Sequence, residues 1–363
     1  MKRNLLPAAL LLSVLVLTGM GLVMTYSGSA FVTRDPWFFA KRQWAYAAAA
    51  ALGMAVAVVV PVGVYRRAAY PLYALALGVL VLVLVPGVGH SVRGAARWLR
   101  LGPVHVQGGE LLKMALVCFL AMSLAKKGPK MLLFRVGIVP HLLLPGVAVA
   151  LLLAEPDFGT AVLAVAVTGA LLFVGGARAA YLVGLLVLAV PLGLHAITSS
   201  PYRLRRLVAF LDPWSHRQGA GYQVVESLIA LGSGKLGGTG VGHGTAKLHF
   251  LPDAHTDFVL ALIGQEWGFI GVSVAVLCFV TIAVAGFGVA ARQTDPFCRY
   301  LAAGLTTTLV LQAVINVFVT LGIVPTKGMG LPFVSYGGSS LLVSCWMAGM
   351  LLQLALRGTT PNQ

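Results

Sequence analysis

Ten apolar runs divide this 363-residue sequence, and their lengths suit helices that cross the ~30 Å hydrocarbon core of a bilayer. The fourth and sixth runs are short, so nine or eleven spans are the alternatives to ten. Hydrophobic residues make up 59% of the chain and charged residues only 10%, which excludes a water-soluble domain. The sequence therefore predicts an all-α, polytopic membrane protein that forms a single integral membrane domain over residues 1–363. The runs cover residues 5–26, 44–64, 69–88, 110–125, 136–154, 158–175, 179–198, 257–289, 299–324 and 337–356.

Basic residues predict which side of the membrane each connection occupies. Lys2 and Arg3 precede the first apolar run, which is too long for an ordinary secretory signal and is expected to stay as an anchor. Lys and Arg are frequent in the even-numbered connections and near both ends, which favours a cytoplasmic position for both termini. Nine of the ten acids, all but Asp295, then fall on or near the extracytoplasmic side. Charges of both signs there are typical of acid–base chemistry on an anionic substrate.

One long polar interruption, residues 199–256, separates the seventh and eighth runs and is predicted to be an extracytoplasmic loop. Its glycine-rich run, 232–244, lacks the Gly-Lys-Ser/Thr ending of a nucleotide-binding loop. Such irregular backbone persists only outside the bilayer or buried against protein. The interruption leads into Asp257 at the mouth of the next apolar run, and an acid at the membrane edge is a functional candidate by default. Lys247 and His255 precede it, and His255 can orient the loop or a substrate.

Two other clusters of charge lie on the predicted outer side. Arg97 and Arg100 are three residues apart, which would place them on one face of a helix. Spacing alone favours an interfacial helix there, and the functional alternative is a pair of cations for a phosphate group. Glu110 and Lys113 can pair on one helix face. Because Lys113 lies about one turn into the membrane, where a charge is costly, structural and functional interpretations are evenly matched.

The remaining polar residues give weaker signals. The four cysteines have neither metal-ligand spacing nor a plausible disulfide pairing and are interpreted as packing residues. None of the eight histidines falls at the spacing of a dedicated zinc site. Glu266 follows Asp257 by nine residues, about half a rotation around a helix and ~13 Å deeper, so it is not expected to share the site of Asp257.

Four motifs follow one another along the chain: Gly19–Ser27, Glu155–Thr160, Ala254–Phe258 and Pro325–Ser340. In this order they resemble the motifs of the SEDS family of bacterial cell-wall synthesis. The family resemblance covers nearly the whole chain, and the last motif is the most specific. Its Pro-Thr-Lys-Gly start at 325–328 is closer to the division members of the family than to the elongation members.

The resemblance implies a ten-helix fold and a peptidoglycan glycosyltransferase. Its substrate would be lipid II, a disaccharide peptide on undecaprenyl pyrophosphate, polymerised at the outer face of the bacterial cytoplasmic membrane during division. The implied partners are a class B penicillin-binding protein, other division proteins and the membrane itself, with no nucleic acid. No organic cofactor is implied, and a divalent cation, Mg²⁺ or Mn²⁺, can assist the pyrophosphate leaving group.

The resemblance also assigns roles to individual residues. Asp257 matches the family's catalytic aspartate and is the candidate general base. Arg97 and Lys113 match cationic positions near the substrate cavity, and Lys327 matches the functional lysine of the last motif. Glu110, His255 and Lys247 complete the candidates for substrate binding. The chain departs from the family pattern at Gly108-Gly109, Gln265 and His249.

Two alternative functions belong to other classes. A lipid II flippase would show internal repeats, broken helices and polar residues at mid-membrane, and the sequence has no convincing repeat. A non-catalytic scaffold of the division machinery would leave the charges gathered around Asp257 without a purpose. Polymerisation of lipid II by the purified protein with its partner separates the three.

Overall fold

The apolar runs form helices in the computed structural model, which describes residues 5–29, 37–92, 95–101, 104–219, 221–244, 256–326 and 328–357. Twelve α-helices occupy the described part of the chain, and the large helices pack side by side as a bundle. They are α1 (Leu5–Ser29), α2 (Phe38–Val59), α3 (Val62–Leu84), α4 (Gly108–Lys127), α5 (Val139–Ala154), α6 (Phe158–Val174), α7 (Ala179–Thr198), α8 (Pro201–Leu211), α9 (Tyr222–Ser233), α10 (Val259–Arg292), α11 (Pro296–Thr320) and α12 (Gly338–Arg357).

Ten of these helices correspond to the ten predicted runs. Within the described residues, eight are long and apolar enough to cross a membrane, and two shorter apolar helices, Phe158–Val174 and Ala179–His195, complete the set. The predicted starts of the second and third spans were wrong by six and seven residues. Pro61 caps α3 and fixes the turn there, so the Arg66-Arg67 pair lies inside α3 instead of in the connection. The four cysteines are free, as predicted.

A small antiparallel sheet between α3 and α4 corrects the helix predicted around Arg97. Its strands are β1 (Gly89–Val92), β2 (Ala95–Leu101) and β3 (Val104–Gln107), in the order β1-β2-β3. Side chains alternate along a strand, so Arg97 and Arg100 point to opposite faces instead of sharing one. Arg97 is half-buried and Arg100 is exposed. Gly94 and Gly102-Pro103 bracket β2 in the sequence and are turn signals that favour the sheet.

The long polar interruption contains two of the helices. α8 lies next to α7, and α9 packs against α10 and α11. Ser227 of α9 is buried, and its hydroxyl donates to the carbonyl oxygen of Thr320 at 2.8 Å. The part of the interruption at 245–255, with Lys247 and His255, lies outside the described residues.

The backbone of α10 breaks at Gly268, where φ is 65° and ψ is −160°. A broken helix leaves backbone groups without intrahelical partners, and such groups are costly inside a membrane. The glycine-rich run supplies the partners: the N–H of Gly240 donates to the carbonyl oxygen of Glu266 at 3.0 Å, and the N–H of Phe269 donates to that of Lys235 at 2.9 Å. At these contacts the irregular backbone packs against protein, which is one of the two positions expected for it.

Glu266 and the glycine run are also joined through the Glu266 side chain. This carboxylate is buried and accepts from the Ser27 hydroxyl at 2.7 and 2.8 Å and from the N–H of Gly242 at 3.1 Å. A Cβ on Gly238 would lie 2.1 Å from the carbonyl oxygen of Glu266, so only glycine allows this approach. Glu266 thus has partners on α1 and in the glycine-rich run.

Candidate active site

The predicted site residues that the structure describes lie at one end of the helix bundle. Asn316, near the end of α11, fixes the main chain on both sides of the site. Its amide nitrogen Nδ2 donates to the carbonyl oxygen of Asp257 at 2.9 Å and to that of Met329 at 2.8 Å. The hydroxyl of Ser335 donates to the carbonyl oxygen of Thr256. Asp257 is therefore attached through its backbone to the last motif, although the two are about seventy residues apart in sequence.

Gly328 shows that Arg97 and Asp257 approach each other. A Cβ on Gly328 would lie 3.5 Å from Nη1 of Arg97 and 3.6 Å from Oδ2 of Asp257. The guanidinium and the carboxylate are thus no more than roughly 7 Å apart, inside the ~10 Å over which charges act at moderate salt. The structure places a carboxylate, a guanidinium and an open main-chain position of the last motif together. Lys327, the neighbour of Gly328, lies outside the described residues.

Two main-chain carbonyl groups hold the Arg97 side chain, and because they are neutral they do not balance its positive charge. Its guanidinium donates to the carbonyl oxygen of Glu155 at 3.4 Å and also to that of Pro156. The side chain of Glu155 is 1% exposed in the turn between α5 and α6. Burial, reinforced by the charge of Asp157 and opposed by Arg97, raises the pKa of Glu155 to about 8. At neutral pH Glu155 is mostly protonated, so Arg97 keeps its charge for another partner.

The first turn of α4 packs directly on the start of α6. Asp157 caps α6 by accepting from the N–H of Thr160 at 3.2 Å and from its hydroxyl at 2.9 Å. A Cβ on Gly109 would lie 3.3 Å from Oδ2 of Asp157 and 3.3 Å from Cγ2 of Thr160. Gly109 therefore fits this close contact, at one of the positions where the chain departs from the family pattern.

Glu110 and Lys113 form the predicted ion pair, and it extends across the bundle. The Lys113 ammonium lies 2.7 Å from Oε2 of Glu110 and donates to Oε1 of Gln312 at 2.7 Å. Gln312 in turn donates from Nε2 to the carbonyl oxygen of Gly330 at 2.8 Å. Both charged residues are buried. A chain of contacts thus connects α4, through α11, with the last motif beside Asp257.

Sequence reasoning missed three residues that organise this site. Gln312 and Asn316 bind the main chain of the last motif, and Glu155 presents the carbonyl that holds Arg97. The signal for the two amides was available, because polar side chains four residues apart share one face of an apolar helix. Glu155 was quoted only as part of a motif. Its burial follows from helix packing, which the sequence does not specify.

The site can hold a divalent cation if the substrate supplies some of the ligands. The described residues contain no group of three His, Cys, Asp or Glu side chains that could hold a metal ion by themselves. Mg²⁺ is commonly bound by one or two carboxylates together with substrate phosphates and water. The carboxylate of Asp257, with the Arg97 guanidinium nearby, supplies one such carboxylate.

These observations define a polytopic, all-helical membrane protein with a charged site at one end of its bundle. The model of the family of FtsW, RodA and SpoVE, described as cell cycle proteins, matches residues 8–359. The chain belongs to this family, which is the SEDS family indicated by the motifs.

Relatives and solved structures agree with this assignment. Two relatives are described as probable peptidoglycan glycosyltransferase FtsW. The one from Geobacter sp. (strain M18) is 42% identical over 351 residues, which cover 96% of each chain. The one from Thioalkalivibrio sulfidiphilus (strain HL-EbGR7) is 43% identical over 360 residues, 96% of this chain and 89% of the relative.

The fold is shared with two solved structures. The rod shape determining protein RodA of Thermus thermophilus matches with a TM-score of 0.72 and 28% identity over 97% of both chains. A chain of a peptidoglycan synthase complex, solved to show how polymerization and crosslinking are coordinated, matches with a TM-score of 0.80 and 28% identity over 96% of this chain and 97% of that chain. The predicted all-helical membrane fold is confirmed.

Proposed function

We propose that this protein is a peptidoglycan glycosyltransferase that polymerises lipid II into glycan strands during cell division. The observation that carries the proposal is the approach of the Asp257 carboxylate to the Arg97 guanidinium beside Gly328. Family membership supports the reaction class, because relatives about 40% identical over almost the whole chain bear that name. The Pro-Thr-Lys-Gly sequence at 325–328 supports the division role.

The reaction needs a base and a stabilised leaving group. In strand extension the GlcNAc 4-hydroxyl of lipid II attacks the anomeric carbon of a chain carried on undecaprenyl pyrophosphate. The C–O bond to the pyrophosphate breaks as the new glycosidic bond forms. Asp257 takes the hydroxyl proton, and the leaving pyrophosphate departs as an anion that needs little protonation. Arg97, with its charge uncancelled by the carbonyls that hold it, is positioned to bind the phosphate oxygens.

Lys113 and Glu110 act on this site through the main chain. Lys113 already pairs with Glu110 and Gln312, and Gln312 holds Gly330 of the last motif. These contacts favour a positioning role for the pair over direct binding of substrate. Lys327, Lys247 and His255 are proposed to contact substrate: the lysines as cations for the pyrophosphate, and the histidine by orienting the acceptor.

A divalent cation, Mg²⁺ or Mn²⁺, fits the proposal. Asp257 would hold it together with the pyrophosphate oxygens. When bound, such an ion supplies positive charge to the leaving group.

The proposed setting is the bacterial cytoplasmic membrane, with both termini in the cytoplasm and the site on the extracytoplasmic side. The distribution of Lys and Arg supports this orientation. The proposed partners are a class B penicillin-binding protein, which supplies transpeptidation, and other division proteins. The similarity to a chain of a peptidoglycan synthase complex supports such a partnership.

The decisive experiment is polymerisation of labelled lipid II by the purified full chain with its partner, read as glycan strands on a gel. Asp257→Asn is expected to lower the rate by about a hundred- to ten-thousand-fold, the usual effect of losing a general base. Asp212→Asn is the matched control, because Asp212 is an exposed acid of the polar interruption. A well-folded Asp257→Asn protein that polymerises normally would remove Asp257 from catalysis. Wild-type protein that moves lipid II across vesicle membranes without polymerising it would support the flippase. Wild-type protein that does neither would support the scaffold.

A further inference from the structure

The opposite end of α4 carries a second cluster of charge that the proposed reaction does not use. α4 has 20 residues, so its last turn lies ~30 Å from the turn that begins at Gly108 beside the candidate site. The chain then continues through a 3₁₀ turn, Gly128–Leu132, and a π-helical turn, Phe134–Ile138, before α5 begins. The basic turn is the segment from Lys126 to His141, which comprises this end of α4, the two turns and the start of α5.

The basic turn has an excess of positive charge that the sequence does not balance locally. It contains Lys126, Lys127, Lys130 and Arg135, and the sequence has no acid between Glu110 and Glu155. The acid at this end of the bundle, Asp295 at the start of α11, is already paired with Arg66. The cluster is therefore a strong positive patch at one membrane face.

Two nitrogens inside the basic turn are buried without a partner among the described residues. One is Nζ of Lys127, and the other is Nε2 of His141, a residue with 0% exposure. The other ring nitrogen of His141, Nδ1, donates to the carbonyl oxygen of Gly137. Lys127 lies close enough to act electrostatically on His141. By contrast, the neighbouring Lys126 lies over the Tyr70 ring at 4.7 Å.

Unpaired polar groups at this depth are costly, and their position suggests what satisfies them. A buried donor that lacks an acceptor loses the full free energy of its hydration. Water is the common partner at a protein surface, but this surface is bounded by exposed apolar side chains of Leu132, Leu133 and Phe134. A ligand that completes the site needs an anionic head for the Lys127 ammonium and apolar chains for its border.

We propose that the basic turn binds the phosphate group of an anionic phospholipid. The Lys127 ammonium donates to a phosphate oxygen. Lys130 and Arg135 add positive charge around the headgroup, while the acyl chains lie against Leu132, Leu133 and Phe134. A soluble phosphate would satisfy the Lys127 ammonium but would leave this apolar border unused. The site is independent of the proposed glycosyltransferase activity.

The proposal is tested with the full chain in nanodiscs of phosphatidylcholine or of phosphatidylcholine with phosphatidylglycerol. Thermal unfolding and native mass spectrometry measure stabilisation and retained lipid. The wild type is expected to unfold at a higher temperature with phosphatidylglycerol and to retain it. Lys127→Met should bind it about tenfold more weakly, the fold-change expected from losing one charge-assisted hydrogen bond. Lys127→Arg should restore binding, because it returns a cationic donor.

Arg67→Met is the matched control, because Arg67 is an exposed cation at the same end of the bundle, near the start of α3. This variant loses one charge but should keep the response of the wild type. An equal loss of phosphatidylglycerol binding in both variants would mean that the overall positive charge causes the binding, and this result would overturn the site. Equal stabilisation by inorganic phosphate in phosphatidylcholine nanodiscs would overturn the lipid assignment. So would Lys127→Met protein that binds phosphatidylglycerol like the wild type.

Discussion

Helices α4 and α7 are both 20 residues long, yet they have opposite positions in the bundle. α4 carries Glu110, Lys113 and two terminal lysines, and fourteen of its residues are buried. α7 has no charged residue, and none of its described side chains is buried. In a water-soluble protein the more apolar helix would be the more buried one. Here the order is reversed.

The difference follows from the solvent. Lipid tails solvate leucine as well as a protein interior does, so α7 gains little by leaving the bilayer. The charges of α4 have no such option, because each needs a partner that only the protein or the membrane surface provides. Polar residues therefore decide which of these two helices is central, and the central one begins beside the candidate active site. Substitutions of polar groups in and around α4, and of apolar groups in α7, therefore test this contrast.

The largest effect in this comparison is expected from Lys113→Met in α4. Its removal leaves the buried Glu110 carboxylate without its cation and Gln312 without a donor, which should cost about 3–5 kcal/mol of unfolding free energy. Polymerisation should fall with it, because Gln312 holds Gly330. Thermal unfolding in detergent and the lipid II assay measure the two effects.

The double variant Glu110→Gln with Lys113→Met separates stability from activity. It removes both charges together, so most of the lost stability should return. Activity should stay low if the lysine positions the last motif. Lys113→Met protein as stable as the wild type would show that the central ion pair does not hold α4 in place.

Gly328 gives the next largest effect, because its missing side chain keeps the space between Arg97 and Asp257 open. Gly328→Leu should place a bulky group there and lower polymerisation by about a hundredfold, as misplacement of reacting groups does. Gly328→Ala is the matched control: its Cβ meets both side chains at ordinary contact distance, so activity should be kept. Similar rates for the two variants in the lipid II assay would argue against a substrate position at Gly328.

For the charged residues in and around α4, the sequence predicted which residues matter better than it predicted their arrangement in space. The Glu110–Lys113 pair followed from spacing alone, because three residues on a helix fix the distance. The position of Arg97 was predicted on a helix and found on β2, since short strands at a membrane surface have no long apolar pattern to identify them. The approach of Asp257 to Gly328 depends on how α11 packs, and the motif resemblance suggested it without giving distances. α7 was predicted as a span. The sequence did not predict that its side chains would be exposed, an exposure that follows from their lack of polar groups needing partners in the protein.

Glu155 should give the bundle a stability that depends on pH. Its pKa is raised to about 8 from the ordinary value of 4.5, so the folded protein holds a proton that the unfolded chain releases. This contribution is complete below pH 4.5 and is lost as the pH rises to about 8. The unfolding free energy of the wild type should fall over this window, by an amount on the order of a few kcal/mol, which denaturant unfolding at a series of pH values measures. Glu155→Gln should remove that slope.

Asp212 is the control for this titration, because hydrogen bonds from Ser215 lower the pKa of its exposed carboxyl. Its contribution is lost only as the pH falls below its ordinary range, outside the window of Glu155. Asp212→Asn should therefore keep the slope of the wild type between pH 4.5 and 8. If Glu155→Gln kept that slope too, another group would have to hold the proton, and Arg97 would face an ionised Glu155 at neutral pH.

The smallest effect is expected in α7, where Leu188→Ala tests whether the bilayer replaces the missing packing. Leu188 is 60% exposed, so lipid tails can fill the space of the lost methyl groups and the cost should stay below about 1 kcal/mol. Leu120→Ala in α4 makes the same change at a residue with 0% exposure, where a cavity should remain and the cost should be about 2–5 kcal/mol. Unfolding of both variants in the same lipid nanodiscs gives the comparison directly. Equal destabilisation would mean that α7 is packed against protein in the membrane, because lipid alone cannot make its leucines as costly to remove as those of α4.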